Sequence, residues 1–170
     1  MKQIKVDVEK CTGCGQCALT CSFKNVGRFE LVQSNICIIQ WEEICLSVPS
    51  LCQQCSDTPC IVACPTEAIS VNPATGAIVI DNDLCTQCYE CQEACRYQVI
   101  HTTLTNYPLT CDLCGGDPKC VPVCFPGALS FVEIPSIEKE PLKAIAQILS
   151  DRAAGKQVPA PVELSSRSVT

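Results

Sequence analysis

Short apolar runs separated by polar turns make up most of this chain, and the elements they predict are correspondingly brief. Residues 2–8 read K-Q-I-K-V-D-V, with apolar side chains at alternate places, the pattern of a half-buried strand. Residues 36–41 form a second β-like run and residues 44–48 a third. Two more, at 68–71 and 77–80, are hinged on Asn72-Pro73-Ala74-Thr75-Gly76, a run of turn-forming residues. Residues 97–104 are β-branched and predict a further strand, and 128–132 a last one. The polar stretch 22–33 predicts a loop directed outward. From Ser136 the pattern changes to a helical one over 137–153, with Ile137, Ile145, Ile148 and Leu149 along one face. Pro141 moves the expected start of that helix toward Glu140, and Gly155 ends it. Residues 156–170, with Pro159, Pro161 and several serines, predict an extended tail.

Cysteine fills the intervals between these runs. There are 18 in 170 residues, about 11%, above the roughly 8–10% that marks a special scaffold. They are counted in the 47% hydrophobic content, so the core left without them is lean, and a group bound to them must supply part of the interior. Sixteen of the 18 fall into four quartets. Cys11, Cys14, Cys17 and Cys21 read C-x2-C-x2-C-x3-C, as do Cys85, Cys88, Cys91 and Cys95. Cys52, Cys55, Cys60 and Cys64 widen the middle gap to four residues, and Cys111, Cys114, Cys120 and Cys124 to five, with Gly115-Gly116-Asp117-Pro118 as a turn. Gly13 and Gly15 lie inside the first quartet, where a close approach of backbone to a bound group needs permissive dihedrals. Cys37 and Cys45 are left over. Their apolar neighbours suggest small core hydrophobes.

Disulfides, zinc and iron–sulfur clusters compete for such cysteines. Disulfides belong to oxidising compartments. The opening residues MKQIKVDVEKC show neither an apolar signal core nor a cleavage site, and no run approaches the ~18 apolar residues of a membrane span. A soluble, cytoplasmic, reduced chain is expected. Structural zinc pairs two distant Cys knuckles and does not call for a third and fourth Cys so close behind. Four thiolates around a [4Fe–4S] cluster do match the quartets. The net charge is −6 with every Cys neutral. Each oxidised cluster with four thiolates adds about −2, so four would bring the total to roughly −14. That excludes nucleic acid as a natural partner and favours a basic docking groove. No phosphate loop, Ser–His–Asp set or flavin fingerprint occurs. With four Cys ligands at every site no iron is left open to substrate, which points to electron transfer rather than catalysis. His101 is expected to be structural. Tyr89, Tyr97, Phe125 and Trp41 are expected to pack simply or to shield clusters from water.

Residues 52–95, two quartets joined by a hairpin, resemble the plan of a two-cluster bacterial ferredoxin. There the first three Cys of a quartet hold one cluster and the fourth holds the other. The resemblance places one cluster on Cys52, Cys55, Cys60 and Cys95, and another on Cys85, Cys88, Cys91 and Cys64. Quartets one and four then pair with each other. Their flanks agree: FPGALSFV after Cys124 parallels PTEAISV after Cys64, and IKVDVEKC parallels AIVIDNDLC before Cys85. Residues 128–132 are expected beside 4–8. The outer clusters would take Cys11, Cys14, Cys17 with Cys124, and Cys111, Cys114, Cys120 with Cys21. The implied fold is α+β: two fused bacterial-type 2[4Fe–4S] ferredoxin modules, small and cluster-cored, with a C-terminal helix and tail. Residues 1–35 with 105–135 form the outer module, 36–104 the central module, and 136–170 the extension.

Over residues 2–133 the stretches CTGCGQCALTCSFKNVGRF, LCQQCSDTPCIVACPTEAI and CDLCGGDPKCVPVC resemble the four-cluster ferredoxin-like electron-transfer subunits of anaerobic multi-subunit oxidoreductases. Those serving tungsten aldehyde oxidoreductases are most alike, followed by carbon monoxide dehydrogenase and hydrogenase–formate systems. Cys21-Ser22, Cys95-Arg96 and Cys124-Phe125 depart from the frequent Cys-Pro, which bears on shielding and not on ligation. The resemblance implies four [4Fe–4S] clusters in a non-catalytic subunit. Its partner would be a large catalytic subunit of tungsten- or molybdenum-pterin type, with a flavin subunit also expected. A free diffusible polyferredoxin is the alternative. So is a head-to-tail, self-associating filament, which heterologous contacts build when they do not close. Replacing Cys64→Ser is expected to alter the spectrum of the cluster on Cys85, Cys88 and Cys91. A change confined to the Cys52, Cys55 and Cys60 cluster would contradict the cross-ligation.

Overall fold

Alternation in the first strand sets the outer layer. A computed structural model describes residues 2–41 and 45–133. In β1 (Lys2–Val6) the side chains of Ile4 and Val6 turn inward while Lys2 and Lys5 face solvent. Its antiparallel partner is β8 (Leu129–Glu133), in the register Ile4↔Phe131 and Val6↔Leu129. Asp7 N–H continues the ladder to Ala128 O at 2.8 Å. The strands expected from the flanks of quartets one and four are thus paired across almost the whole described chain.

The inner hairpin is local. β4 (Ile69–Val71) pairs antiparallel with β5 (Ile78–Ile80). Asn72 Oδ1 accepts from Ala74 N–H at 2.9 Å, and Gly76 N–H closes on Asn72 O at 2.7 Å, the side-chain-stabilised turn that Asn favours. β5 divides two cores. Ala77 and Val79 pack with Ile4, Val6, Leu51, Leu113 and Leu129, whereas Ile78 packs with Ile69 and Ile100 on the other side. Period-two geometry puts neighbouring residues on opposite faces, so one short strand serves both interiors.

Two further hairpins complete the sheets. β2 (Cys37–Trp41) pairs with β3 (Leu46–Ser50). Cys37 and Cys45 are exposed, not core residues as their apolar neighbours suggested: Cys37 opens β2 and Cys45 lies in the turn before β3. β6 (His101–Thr102) pairs with β7 (Pro108–Leu109). Only two residues of the expected strand 97–104 pair. Gln98 has a left-handed φ of 51°, and Thr103 Oγ1 gathers the N–H groups of Thr105 and Tyr107 into a turn. His101 Nε2 donates to Ser34 O at 2.6 Å, a structural role.

The stretch 22–33 does not loop outward. α1 runs from Gln16 to Val26 and ends on Gly27, whose φ of 69° and N–H bond to Phe23 O form a left-handed C-terminal cap. Ser22 is fully buried. Its hydroxyl donates back to Leu19 O at 2.9 Å and accepts from Glu30 N–H. Asn25 Nδ2 then donates to Gln33 O at 2.9 Å, folding the chain back on the helix. α2 (Pro59–Val62) and α3 (Glu90–Ala94) are single short turns. The expected helix at 137–153 and the tail lie outside the described residues. The architecture is α+β, with small two-stranded sheets and short helices. No helix among the described residues is long and apolar enough to cross a membrane.

Leu51 shows no exposed surface and joins quartet two to the outer core. Leu51→Ala is expected to cost about 2–5 kcal/mol, read as a lowered Tm of the iron-loaded protein. Val71→Ala, at a 43% exposed position, should be close to neutral.

Candidate cluster sites

Each quartet opens with the same backbone kink. The residue before the second Cys is left-handed in all four: Gly13 (φ 70°), Gln54 (47°), Gln87 (59°) and Leu113 (54°). Three of these carry side chains, and such a conformation costs on the order of 1–3 kcal/mol. The kink turns backbone N–H groups inward, a concavity suited to anions. Gln54 N–H reaches the Cys52 thiol and Leu113 N–H the Cys111 thiol. At Gly13 the loop is also crowded, since an added Cβ would stand 2.5 Å from Ser47 Oγ and 2.6 Å from Gln40 Nε2. The β2–β3 hairpin therefore covers this loop closely.

In the first three quartets the third Cys sits at the start of a helix and the fourth rides one turn on. Cys17 and Cys21 are in α1, Cys60 in α2 with Cys64 just beyond it, and Cys91 in α3 with Cys95 at its end. Cys11, Cys14, Cys17 and Cys124 line one hollow, walled by Ile38, Pro49 and Leu129. Cys64, Cys85, Cys88 and Cys91 line another, walled by Ile69, Ile80, Tyr89 and Pro108. Cys52 lies near Cys55, Cys60 and Cys95. Cys120 lies near Cys21 and Cys114, and Cys111 near Cys21 and Cys120. The groups also adjoin one another: Cys120 feels Cys17, Cys111 feels Cys52, and Cys91 feels Cys60. No disulfide links the cysteines. Among the described residues no trio of His, Cys, Asp or Glu closes on one point as around a single ion; the thiols stand around open space.

Burial pushes these thiols up, and neighbouring thiolates add to it. Cys17 and Cys91 are raised to about 11 and Cys52 and Cys120 to about 12, while Cys111 rises further. Without metal they are neutral. Iron must displace their protons, so loading releases protons and binds metal to folding. Two sulfurs receive particular help. At Cys64 burial is outweighed by the N–H groups of Thr66, Ala68 and Ile69 and the Thr66 hydroxyl, and the thiol falls below its ordinary value. At Cys21 burial prevails, but Asn35 N–H donates to Sγ at 3.3 Å and Asn25 Nδ2 lies at 4.0 Å. The buried belt of Ser22, Gln33, Ser34 and Asn35 has the sequence pattern of a solvent-facing loop. Gln54, 3% exposed, is a further buried polar residue with no sequence signal. Of the aromatics, Tyr89 lines the Cys85 space, whereas Phe125 is 99% exposed and shields nothing.

Comparison with known proteins agrees with this chemistry. Residues 44–134 match the family model described as a 4Fe–4S dicluster domain, and residues 4–24 that of a 4Fe–4S binding domain. The chain belongs to the 4Fe–4S dicluster family. Its donor set of buried thiols around unfilled space fits the [4Fe–4S] group, which when bound takes up and releases single electrons. This dicluster chain is 39% identical over 122 residues to the aliphatic sulfonate oxidoreductase polyferredoxin-like subunit of Pyrococcus furiosus, covering 71% of this chain and 70% of that one. It is 34% identical over 140 residues to the beta subunit of the NADH-dependent phenylglyoxylate dehydrogenase of Aromatoleum evansii, covering 81% of this chain but 31% of that one. The B subunit of the polysulfide reductase of Wolinella succinogenes is 29% identical over 164 residues, covering 86% and 81%. The dicluster chain is an iron–sulfur electron-transfer protein of ferredoxin type.

Gly13→Ala should place a side chain at φ +70° against Ser47 and Gln40, at a cost of about 1–3 kcal/mol. The expected readout is lower iron content with the deficit at the Cys11 site. Adding Ser47→Gly should restore part of it by removing the Ser47 contacts while leaving the Gln40 contact and the backbone strain.

Proposed function

We propose that the chain relays single electrons through four [4Fe–4S] clusters between a large catalytic oxidoreductase subunit and a downstream acceptor. The clusters are held by Cys11, Cys14, Cys17 and Cys124; by Cys111, Cys114, Cys120 and Cys21; by Cys52, Cys55, Cys60 and Cys95; and by Cys85, Cys88, Cys91 and Cys64. The observation that carries this reading is the succession of thiol groups, in which Cys17 adjoins Cys120, Cys111 adjoins Cys52, and Cys60 adjoins Cys91. Such a row is a path through the protein interior.

Exposure supports a direction for contact with partners. In the first and last groups Cys14 and Cys88 are exposed, whereas the ligands of the two middle groups are buried or half-buried. The terminal clusters exchange electrons with other proteins and the middle ones pass them on. The protein's own residues fix the ligands, exclude water from the middle sites and tune the sulfurs through Asn35, Thr66 and the kinked backbone amides.

The catalytic partner is of tungsten- or molybdenum-pterin type, with a flavin subunit as onward acceptor, in the cytoplasm. The resemblance of the three quoted stretches to subunits of anaerobic oxidoreductases supports this, as do relatives that are named as subunits of an oxidoreductase, a dehydrogenase and a reductase.

Iron and acid-labile sulfide analysis of anaerobically isolated protein should give about sixteen of each per chain; about twelve would remove one cluster. Affinity isolation from the native host should bring down a large chain containing tungsten or molybdenum. A chain that runs alone as a monomer and reduces soluble acceptors directly would favour the diffusible carrier.

A further inference from the structure

The two cores meet along the outer edge of β5. Ile78 lies opposite Val71, yet its own N–H and C=O are satisfied from the other side. Gln54 Oε1 accepts from Ile78 N–H at 2.7 Å, and Thr110 Oγ1 donates to Ile78 O at 3.0 Å. The same Gln54 side chain donates from Nε2 to Cys111 O at 2.6 Å. Its backbone N–H points to the Cys52 thiol, and its backbone carbonyl accepts from Gln3 Nε2 at 3.3 Å. Gln54 is therefore in bonding contact with a ligand residue of two different sites. It is almost wholly buried, with a left-handed backbone. Cys52 beside it packs against both cores.

These bonds determine the orientation of the amide. Only Oε1 toward the Ile78 N–H and Nε2 toward the Cys111 carbonyl satisfies both partners. A hydrocarbon at this position would leave a buried N–H and a buried C=O unpaired. A carboxylate would keep the bond to Ile78 and lose the one to Cys111. Buried polar groups left without partners are costly, so the spacing between the Cys52 loop and the Cys111 loop hangs on one side chain.

We propose that Gln54 is the positioning residue for electron passage between the two halves of the relay, fixing the separation of the Cys52 and Cys111 clusters. This rests on the four-cluster reading above. Gln54 touches no iron; it acts through the two loops that carry the ligands.

The test uses the full chain, isolated with its clusters. Three variants are compared with the wild type: Gln54→Leu, Gln54→Glu, and Thr110→Val, which removes a bond to the same strand edge without touching the amide. Iron content reports loading. Pulsed electron paramagnetic resonance of the fully reduced protein reports magnetic coupling between clusters, with the couplings inside each half as internal standard. Amide hydrogen exchange at Ile78 reports the hydrogen bond. Gln54→Leu is expected to keep its iron, lose protection at Ile78, and weaken the coupling between halves while those within halves stay. Gln54→Glu is expected to keep the protection at Ile78 and still weaken the coupling between halves. Thr110→Val is expected to leave that coupling unchanged. If Gln54→Leu fails to hold iron, Gln54→Glu decides by the same readings. Coupling between halves that persists in Gln54→Glu, or that Thr110→Val weakens equally, overturns the positioning role. A wild-type protein with full iron and no coupling between halves overturns the order of clusters instead, and with it the basis for assigning Gln54.

Discussion

A buried thiol resists giving up its proton, and everything in this fold is arranged around that resistance. Cys17, Cys21, Cys60, Cys91, Cys111 and Cys120 are buried among the same side chains that form the cores. In a metal-free chain these groups are neutral and the interior is neither filled nor chemically settled. Binding of iron and sulfide converts both defects into stabilisation: the thiolates are paired with positive charge and the space is occupied. The short strands and mostly single-turn helices lack the area to hold the fold alone. They act as a frame whose centre is inorganic.

This explains the strained loops. Left-handed backbone at Gln54, Gln87 and Leu113 is unfavourable for residues with side chains, yet the kink recurs before the second Cys of every quartet. What it provides is the set of inward N–H groups that face sulfur. Inward N–H groups at these kinks complement negative charge at sulfur. The acidic balance of the chain makes such local donors more important, since few cations are buried nearby.

The sequence spoke most clearly where spacing is rigid. The quartets, the inner hairpin at Asn72–Gly76 and the pairing of 4–8 with 128–132 follow from short-range patterns or from parallels between flanks. It was misleading where a polar residue was buried. Ser22, Ser34 and Asn35 look like loop residues until Cys21 is placed beside them, because a sulfur that accepts hydrogen bonds is not visible in hydropathy. Gly27 did carry a signal, the glycine that ends a helix, and it marks the end of α1. Cys37 and Cys45 erred in the opposite sense: apolar neighbours suggested a core, but Cys37 opens β2 and Cys45 lies in the turn before β3, both exposed. Gln54 had no signature, since its role arises from the meeting of segments fifty-odd residues apart.

The pairing of β1 with β8 also sets a timetable. β4 and β5 are joined by a six-residue turn and can zip as soon as they leave the ribosome, whereas β1 must wait for residues 129–133. Contacts so distant in sequence form late, after their loop-closure cost is met. The hollow lined by Cys11, Cys14 and Cys17 therefore closes late, when Cys124 arrives. During synthesis Cys11, Cys14 and Cys17 wait far longer for Cys124 than Cys64 waits for Cys85, Cys88 and Cys91.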